Sequence, residues 1–363
     1  MTAHPYQKIA MKYHANRGFT LVELMVALAL SLLIVAASVS ALLVSRQGFS
    51  SVDAASQLRD NARFATDFIT RLSVQSGYKD VTFVDTVTQS AFKHTGVSVD
   101  PDPPISGFNN AVLGGDASDP IGSSTNDSRN SSCSVADGTA CANGSDILIL
   151  RYQTSALNTE SALGGTEVDN AMFNCAGVPQ TNTATSSSDV IESMLYVSTP
   201  TAAAPEPALM CKYRNGAGTT WANPTPLVQG VESFQVLYGT DGVQPKTVPV
   251  AAAPLGTSPS GGQPDTIPER YLRADQLVVA GNTAATKENW RRVRSLRIGL
   301  IVRGPVGSAQ APSAQRFYPF APFGTLDAAP TNFSDTFLNV AATDTRVRQV
   351  VTFTVYLHNF QGI

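Results

Sequence analysis

The side chains best suited to covalent chemistry in this 363-residue chain are four cysteines, Cys133, Cys141, Cys175 and Cys211. None forms a CxxC pair and no histidine stands near them, so a zinc site fits poorly and disulfides fit well. All four lie beyond the one strongly apolar segment, on a single side of it, which suits an oxidising compartment. Sequence allows three pairings; Cys133–Cys141 with Cys175–Cys211 is expected, because the first closes a short loop and the second leaves no thiol over. Past the N-terminal stretch, which holds His4 and His14, only His94 and His358 occur, neither beside an acid–Ser or acid–Cys arrangement, and His358 ends a strand pattern as a surface residue would. There is no GxSxG, HExxH, P-loop or GxGxxG in a strand–helix context, and Gly114-Gly115 and Gly261-Gly262 read as loop glycines. No catalytic group, cofactor or metal site is therefore expected. The acids Asp100, Asp102, Asp116, Asp119, Asp127 and Asp137 lack EF-hand spacing and read as solvated loop residues rather than calcium ligands. Arg291, Arg292 and Arg294 beside Trp290 have the composition of a DNA-contacting patch, but at a strand start they read as solvated or ion-paired. With a net charge of −3, no nucleic-acid partner is expected.

A different chemistry is set up near the N-terminus. Glu23 stands at the leading edge of Leu24–Val44, a run without a charge. As a helix that run reaches ~31 Å, the thickness of a bilayer's hydrocarbon layer. Its serines, Ser31, Ser38 and Ser40, can return their hydroxyl bonds to the helix backbone. Lys8, Lys12 and Arg17 precede it, so the positive-inside rule keeps residues 1–18 cytoplasmic and sends residue 46 onward across the membrane. A cleaved secretory signal is the alternative, with Ala41 or Ser45 near its cleavage site; the length of the run and the acid at its front oppose it. A carboxylate so close to hydrocarbon costs several kcal/mol unless paired or neutralised. Locally, Thr20-x-x-Glu23 fits a capping box, and an acid in the first turn suits the helix dipole.

The stretch Gly18-Phe19-Thr20-Leu21-Val22-Glu23-Leu24 resembles the prepilin-type signal of type IV pilins and type II secretion pseudopilins. The resemblance implies that a prepilin peptidase cuts after Gly18 on the cytoplasmic side and methylates the new amine of Phe19, while the apolar helix is kept. It also implies that Glu23, the fifth residue of the mature chain, pairs with the Phe19 ammonium of a neighbouring subunit during assembly. Further along, Asn61-Ala62-Arg63-Phe64-Ala65 with Arg71-Leu72 and Gly77-Tyr78 is similar to the helix end of PilW-type minor pilins. So are Leu227–Gly239, Trp290 leading into Val293–Arg303, and the closing Val350–Asn359 stretch. Ser40 stands where many major pilins carry proline, so the usual helix kink is not implied here.

Behind these residues stand two kinds of element. Phe49, Val52, Ala55, Leu58, Ala62, Ala65, Phe68 or Ile69, and Leu72 recur at helical spacing, with Arg59, Asp60, Arg63, Asp67 and Arg71 largely off the stripe; Gly48 is expected to loosen the helix and Gly77 to end it. Strand patterns occur at Asp146–Gln153, Val190–Ser198, Leu209–Tyr213, Val231–Tyr238, Val293–Arg303 and Val347–His358. Leu296, Ile298, Leu300 and Val302 alternate with Arg297, Gly299, Ile301 and Arg303. Likewise Val351, Phe353, Val355 and Leu357 alternate with Thr352, Thr354, Tyr356 and His358, as in antiparallel strands with one face on a core. Residues 100–145, 176–189, 200–207 and 244–268 read as polar surface loops. The expected fold is α+β and type IV pilin-like, a long N-terminal helix packed on a C-terminal antiparallel sheet domain. Its parts are a leader (1–18), the helix (19–76, spanning the membrane over 24–44 and amphipathic over 45–76) and a β-rich outer domain (77–363).

The function this implies is that of a non-enzymatic minor pilin that primes assembly of a type IV pilus and sits at or near its tip. Its partners would be other minor pilins, the major pilin, the prepilin peptidase, the inner membrane and a tip adhesin. It would start as a single-pass inner-membrane protein with its outer domain in the periplasm and end in a surface pilus, with roles in adhesion and twitching motility. A J-like minor pseudopilin of type II secretion is the nearest alternative, and a filament-borne adhesin another.

Overall fold

A computed structural model describes residues 18–79, 86–88, 93–95, 102–114, 133, 140–153, 171–179, 190–200, 206–216, 220–249, 267–309, 313–320 and 337–359. The leader up to residue 17 lies outside these. So do much of the expected loops and Asp100, Asp116, Asp119, Asp127 and Asp137. The chain divides into two units, residues 1–51 and 52–363.

Helix α1, Leu21–Gln75, contributes to both units. Within the first unit its apolar side chains from Leu21 to Val44 are exposed all round, and Ser31, Ser38 and Ser40 bond back to the carbonyls of Leu28, Ile34 and Ala37 at 2.8–2.9 Å. The hydroxyls so satisfied leave no side-chain polar group in need of water between Leu24 and Val44. Helix runs unbroken through Ser40 and Gly48. In the second unit one face of α1 is buried through Ala54, Leu58, Ala62, Ala65, Ile69 and Leu72. The stripe is thus shorter than its sequence pattern: Phe49 and Val52 remain 75% and 71% exposed, and Ala54 takes the place expected of Ala55. Of the two residues competing for one position, Ile69 is in the core and Phe68 only flanks it.

The strands, in chain order, are β1 (Thr86–Thr88), β2 (Lys93–Thr95), β3 (Ile105–Phe108), β4 (Ile147–Tyr152), β5 (Ile191–Ser198), β6 (Ala208–Asn215), β7 (Thr225–Gln229), β8 (Val231–Thr240), β9 (Arg270–Leu272), β10 (Val293–Arg303), β11 (Gln315–Phe317), β12 (Leu338–Val340) and β13 (Arg348–Tyr356). A second helix, α2 (Thr283–Arg291), is capped by the Asn282 side chain accepting from Ala285 N. Every strand pair among the described residues is antiparallel, but these residues form two main sheets where one was expected: β3-β4-β5-β6-β7 and β13-β10-β8-β9. The buried stripe of α1, with Leu296, Ile298, Leu300 and Val302 of β10, Phe234 and Val236 of β8 and Leu148, Leu150 and Leu195 of the other sheet, makes one core.

Gly230 carries the chain from one sheet to the other. It alone separates β7 from β8, with φ +81°, and a Cβ there would come within 2.6 Å of Arg303 O. Its N–H donates to Pro207 O at 2.8 Å, and its carbonyl accepts from Arg303 N at 2.7 Å, so its backbone joins both sheets. Asp146 ties them again: its carboxylate accepts from Asn110 N and Val236 N, both at 2.8 Å, in a nearly dry setting.

The two alternating strand patterns fare differently. On β13 the alternation is visible in the burial of Val355 and Leu357 against exposed Thr352, Thr354, Tyr356 and His358. On β10 the second face is covered as well: Gly299 and Ile301 are buried, and Arg303 is drawn into ion pairs. The cover over Gly299 is Pro319, whose Cβ would lie 2.5 Å from a Cβ added at the glycine, together with Phe320. Elements lying inside stretches without a clear period, β3, β7, β9, β11, β12 and α2, had no counterpart in the sequence pattern.

Candidate assembly site

Gly18, Phe19 and Glu23 lie together at the start of α1. Thr20 precedes the first helical residue, and Leu24 N donates to Thr20 O at 3.1 Å. Glu23 N donates to Thr20 Oγ1 at 3.2 Å while Thr20 N donates to Glu23 Oε2 at 3.3 Å. This reciprocal pair is the capping box that the spacing suggested, and it satisfies two of the orphan N–H groups of the first turn. Glu23 is nevertheless exposed, as are Gly18 and Phe19, the last at 84%. A Cβ added to Gly18 would meet nothing within 4 Å. No contact among the described residues therefore requires glycine at this position.

Beyond Glu23 the helix is long and apolar enough to cross a membrane, and none of its most apolar stretch is buried within the chain. Such a surface needs lipid or other apolar helices around it.

The C-terminal half of α1 is locked into the outer domain by polar bonds as well as by its buried stripe. Asn61 Nδ2 donates to Gln229 O at 3.1 Å and Gln75 Nε2 to Phe173 O at 2.5 Å. Gly77, at φ +82°, ends the helix, with its N–H on Arg151 O at 2.8 Å; a side chain there would strike Asn359 O. Asn359 in turn donates to Val74 O at 2.7 Å. These links join the end of the helix to β4 and to the stretch after β13.

The cysteines form two bridges, Cys133–Cys141 and Cys175–Cys211. The second fastens the turn carrying Phe173 to β6; Arg71 of α1 lies 4.9 Å above the Phe173 ring, so the bridge also steadies a helix contact. His358 is exposed just beyond β13. His94 falls in β2, and its side chain lies outside what is described.

The arginine group that resembled a nucleic-acid patch is internal. Arg292 is 1% exposed and bonds Glu288 at 3.1 Å, Arg294 bonds Asp241 at 3.3 Å, and Trp290 packs edge-on against Tyr238. Asp102, the one acid of the loop group that is described, pairs with Lys287 at 3.0 Å. Burial pushes its carboxyl upward, but the charges of Arg151, Lys287 and Arg214 outweigh this and hold it below the usual value. Among the described residues no group of three His, Cys, Asp or Glu side chains could share a metal ion.

A further cluster gives no signal in the sequence, because its members come from four separate stretches. Glu232 of β8 bonds Arg303 of β10 at 2.9 Å and Arg348 of β13 at 2.6 Å; Arg348 also bonds Asp344 at 2.6 Å, and Arg303 bonds Glu206 at 3.0 Å. It pins the start of β13 to β10 beside it and to β8 beyond. On β5, Glu192 receives both Arg151 and Arg214 in the same manner.

Comparison with known proteins bears on both ends of the chain. Residues 13–39 match the family model for the prokaryotic N-terminal methylation motif, and residues 194–359 match the one for Type IV Pilus-assembly protein W. Among solved structures, the type IV-like pilin TTHA1219 from Thermus thermophilus shares 18% identity over 61% of this chain and 82% of that one, with a TM-score of 0.28. None of the curated proteins compared with the chain gives a match.

Proposed function

For a chain that belongs to the PilW-like type IV pilins, carrying their N-terminal methylation motif, we propose the role of a minor pilin that primes filament assembly and ends at or near the pilus tip. The observation that supports this best is the opening of α1: an exposed Gly18–Phe19 bond, then Glu23, then an apolar surface left uncovered on every side. A cleavable peptide bond placed just ahead of a retained membrane helix yields a subunit that is released from its leader but not from the bilayer.

In this reading a peptidase removes residues 1–18 and leaves the ammonium of Phe19 four residues ahead of Glu23. The requirement for glycine at position 18 comes from the peptidase, since nothing among the described residues crowds it. Alone in the membrane, the Glu23 carboxylate is occupied by its own capping box. On assembly it turns to the Phe19 ammonium of a neighbour, and a charge that costs several kcal/mol near hydrocarbon becomes half of a neutral pair. The helix over 24–44 then exchanges lipid for other subunits' helices. Its many small residues, such as Ala27, Ala29, Ala36, Ala37 and Ala41, let backbones approach closely. The outer domain stays on the periplasmic side until the filament carries it to the cell surface. There it meets other minor pilins, the major pilin and a tip adhesin, in support of adhesion and twitching motility.

Crosslinking in native membranes followed by purification and mass-spectrometric identification of partners tests the reading. Recovery with other pilin subunits of a pilus is expected. Recovery solely with secretion-system pseudopilins would assign the chain to type II secretion instead.

A further inference from the structure

Each cysteine is bonded to the next one along the chain, Cys133 to Cys141 and Cys175 to Cys211. Four cysteines allow three pairings, and this is the one reached when thiols are oxidised in the order in which a chain presents them. Cys141 follows Cys133 by 8 residues, well before Cys175, and Cys175 then finds Cys211 as the one thiol still unused. No bridge has to be opened and redrawn on the way.

The second bridge is sealed in part by elements that come later in the chain than its own cysteines. Cys175 and Cys211 are both 0% exposed and belong to the main core. Cys211 lies in β6, opposite Leu195 of β5 on one side and Thr225 of β7 on the other. Cys175 lies in the turn Phe173–Pro179, with its N–H on Ser193 Oγ at 3.0 Å and its Sγ 3.3 Å from Lys212 O. The Asn174 side chain closes that turn by accepting from Ala176 N and Val178 N at 2.9 and 3.1 Å. The same core takes in Val228 of β7, Phe234 and Val236 of β8 and Leu296 of β10, all beyond Cys211. A thiol is oxidised when its thiolate attacks a disulfide sulfur, and the mixed disulfide so formed joins two molecules for a time. With a protein as oxidant, that step requires a sulfur open to a second polypeptide. Once the core is complete, neither sulfur is.

We propose that the Cys175–Cys211 bridge is made by a disulfide-carrying protein oxidant on the chain as it is exported, before β7 and the later strands complete the core, and without a disulfide isomerase. The thiolate of one cysteine attacks the oxidant's disulfide and displaces one of its sulfurs as a thiolate. The thiolate of the other cysteine then attacks the sulfur of the first and displaces the oxidant's second sulfur. The chain gives up two electrons and two protons, and the oxidant leaves as a dithiol. Presentation in order from residue 46 toward the C-terminus rests on the membrane-anchored reading above.

Pulse-labelling of the full chain in its native host tests the proposal. At each time thiols are trapped in acid, and bridges are mapped beside the resistance of the outer domain to protease. Bridged chains that are still protease-sensitive should come first, and resistant chains should carry the bridge from their first appearance. Resistant chains with free Cys175 and Cys211 thiols that gain the bridge later would overturn the proposal. Without a catalyst, rearrangements of disulfides take minutes to hours. In a host lacking its exported thiol oxidase the bridged fraction at early times should therefore fall severalfold, and an unchanged fraction would also overturn it. In a host lacking its disulfide isomerase the fraction should stay at the wild-type level; a severalfold fall, or recovery of Cys141–Cys175, would refute independence of that enzyme. Intact mass of the same chains reports leader removal separately. Loss of residues 1–18 with late bridging sinks the proposal alone, and a chain starting near residue 46 with early bridging sinks the pilin reading alone.

Discussion

At the scale of single residues, Glu23 separates a local role from an intersubunit one. Its capping box lies within four residues and was legible in the spacing for that reason; the proposed pairing with a neighbour depends on a second chain and would leave no mark within the first. Removing the carboxylate as Glu23→Ala should cost the helix start about 1 kcal/mol. Folding, insertion and leader removal should be spared, while recovery of the chain with other pilus subunits falls severalfold at normal membrane levels. Wild-type recovery of a correctly processed Glu23→Ala chain would reduce Glu23 to a cap. Asp146 is the opposite case, prominent in the structure and unremarkable in sequence. Its partners, Asn110 N and Val236 N, are 36 and 90 residues away. Asp146→Ala would take the acceptor from both amides, that of Val236 fully buried and that of Asn110 partly so, an expected loss of about 2–4 kcal/mol. Asp146→Asn keeps one acceptor oxygen and should lose less, and urea unfolding of the two variants gives the order.

Among the elements, those whose burial follows their own periodicity could be read in advance. β10 spans Val293–Arg303 as its pattern predicted, and β4, β5, β6, β8 and β13 differ from theirs by two residues or fewer at each end. The stripe of α1 was overread toward its start because Phe49 and Val52 continue the spacing after the outer domain has ceased to cover it. The second face of β10 was misjudged because its cover, Pro319 and Phe320, comes from a stretch with no period of its own. Nor does any local pattern announce that β7 and β8 belong to different sheets; that is decided by the conformation of Gly230 between them. Gly230→Ala should destabilise by more than about 2 kcal/mol, since it meets both a positive φ and the Arg303 carbonyl, and thermal unfolding will show it. The ion cluster at the start of β13 gives a pH dependence. Burial pushes the Asp344 carboxyl upward, but bonds from Arg348 and from Arg346 N, together with their charges, hold it below its ordinary value of 3.8. A depressed folded-state value means that its stabilisation is fully present above the ordinary value and is lost as pH falls through the depressed one. Wild type should therefore lose more stability on acidification below about pH 4 than Asp344→Asn does, which comparison of denaturant midpoints across that range will test.

For the molecule as a whole, the separation into an apolar N-terminal helix and a β-rich outer domain was plain from composition, whereas the division of that domain into two sheets around one core depended on contacts distant in sequence. The bridges act at this largest scale. Opening Cys175–Cys211 as Cys175→Ser with Cys211→Ser releases a separation of 36 residues and should cost on the order of 2–4 kcal/mol; opening Cys133–Cys141, a separation of 8, should cost less. Guanidinium unfolding of each pair of substitutions will rank them. The larger bridge also matters to a subunit under tension. If the chain is pulled between its two ends, everything from Cys175 to Cys211 is bypassed by one covalent link, so roughly 120 Å of chain stays hidden from the load until the bridge is reduced. In single-molecule stretching of a chain with Cys133→Ser and Cys141→Ser, the oxidised outer domain should thus yield a shorter final contour than the reduced one by about that length. A filament that contains it would meet a sudden pull with a subunit that gives way less far.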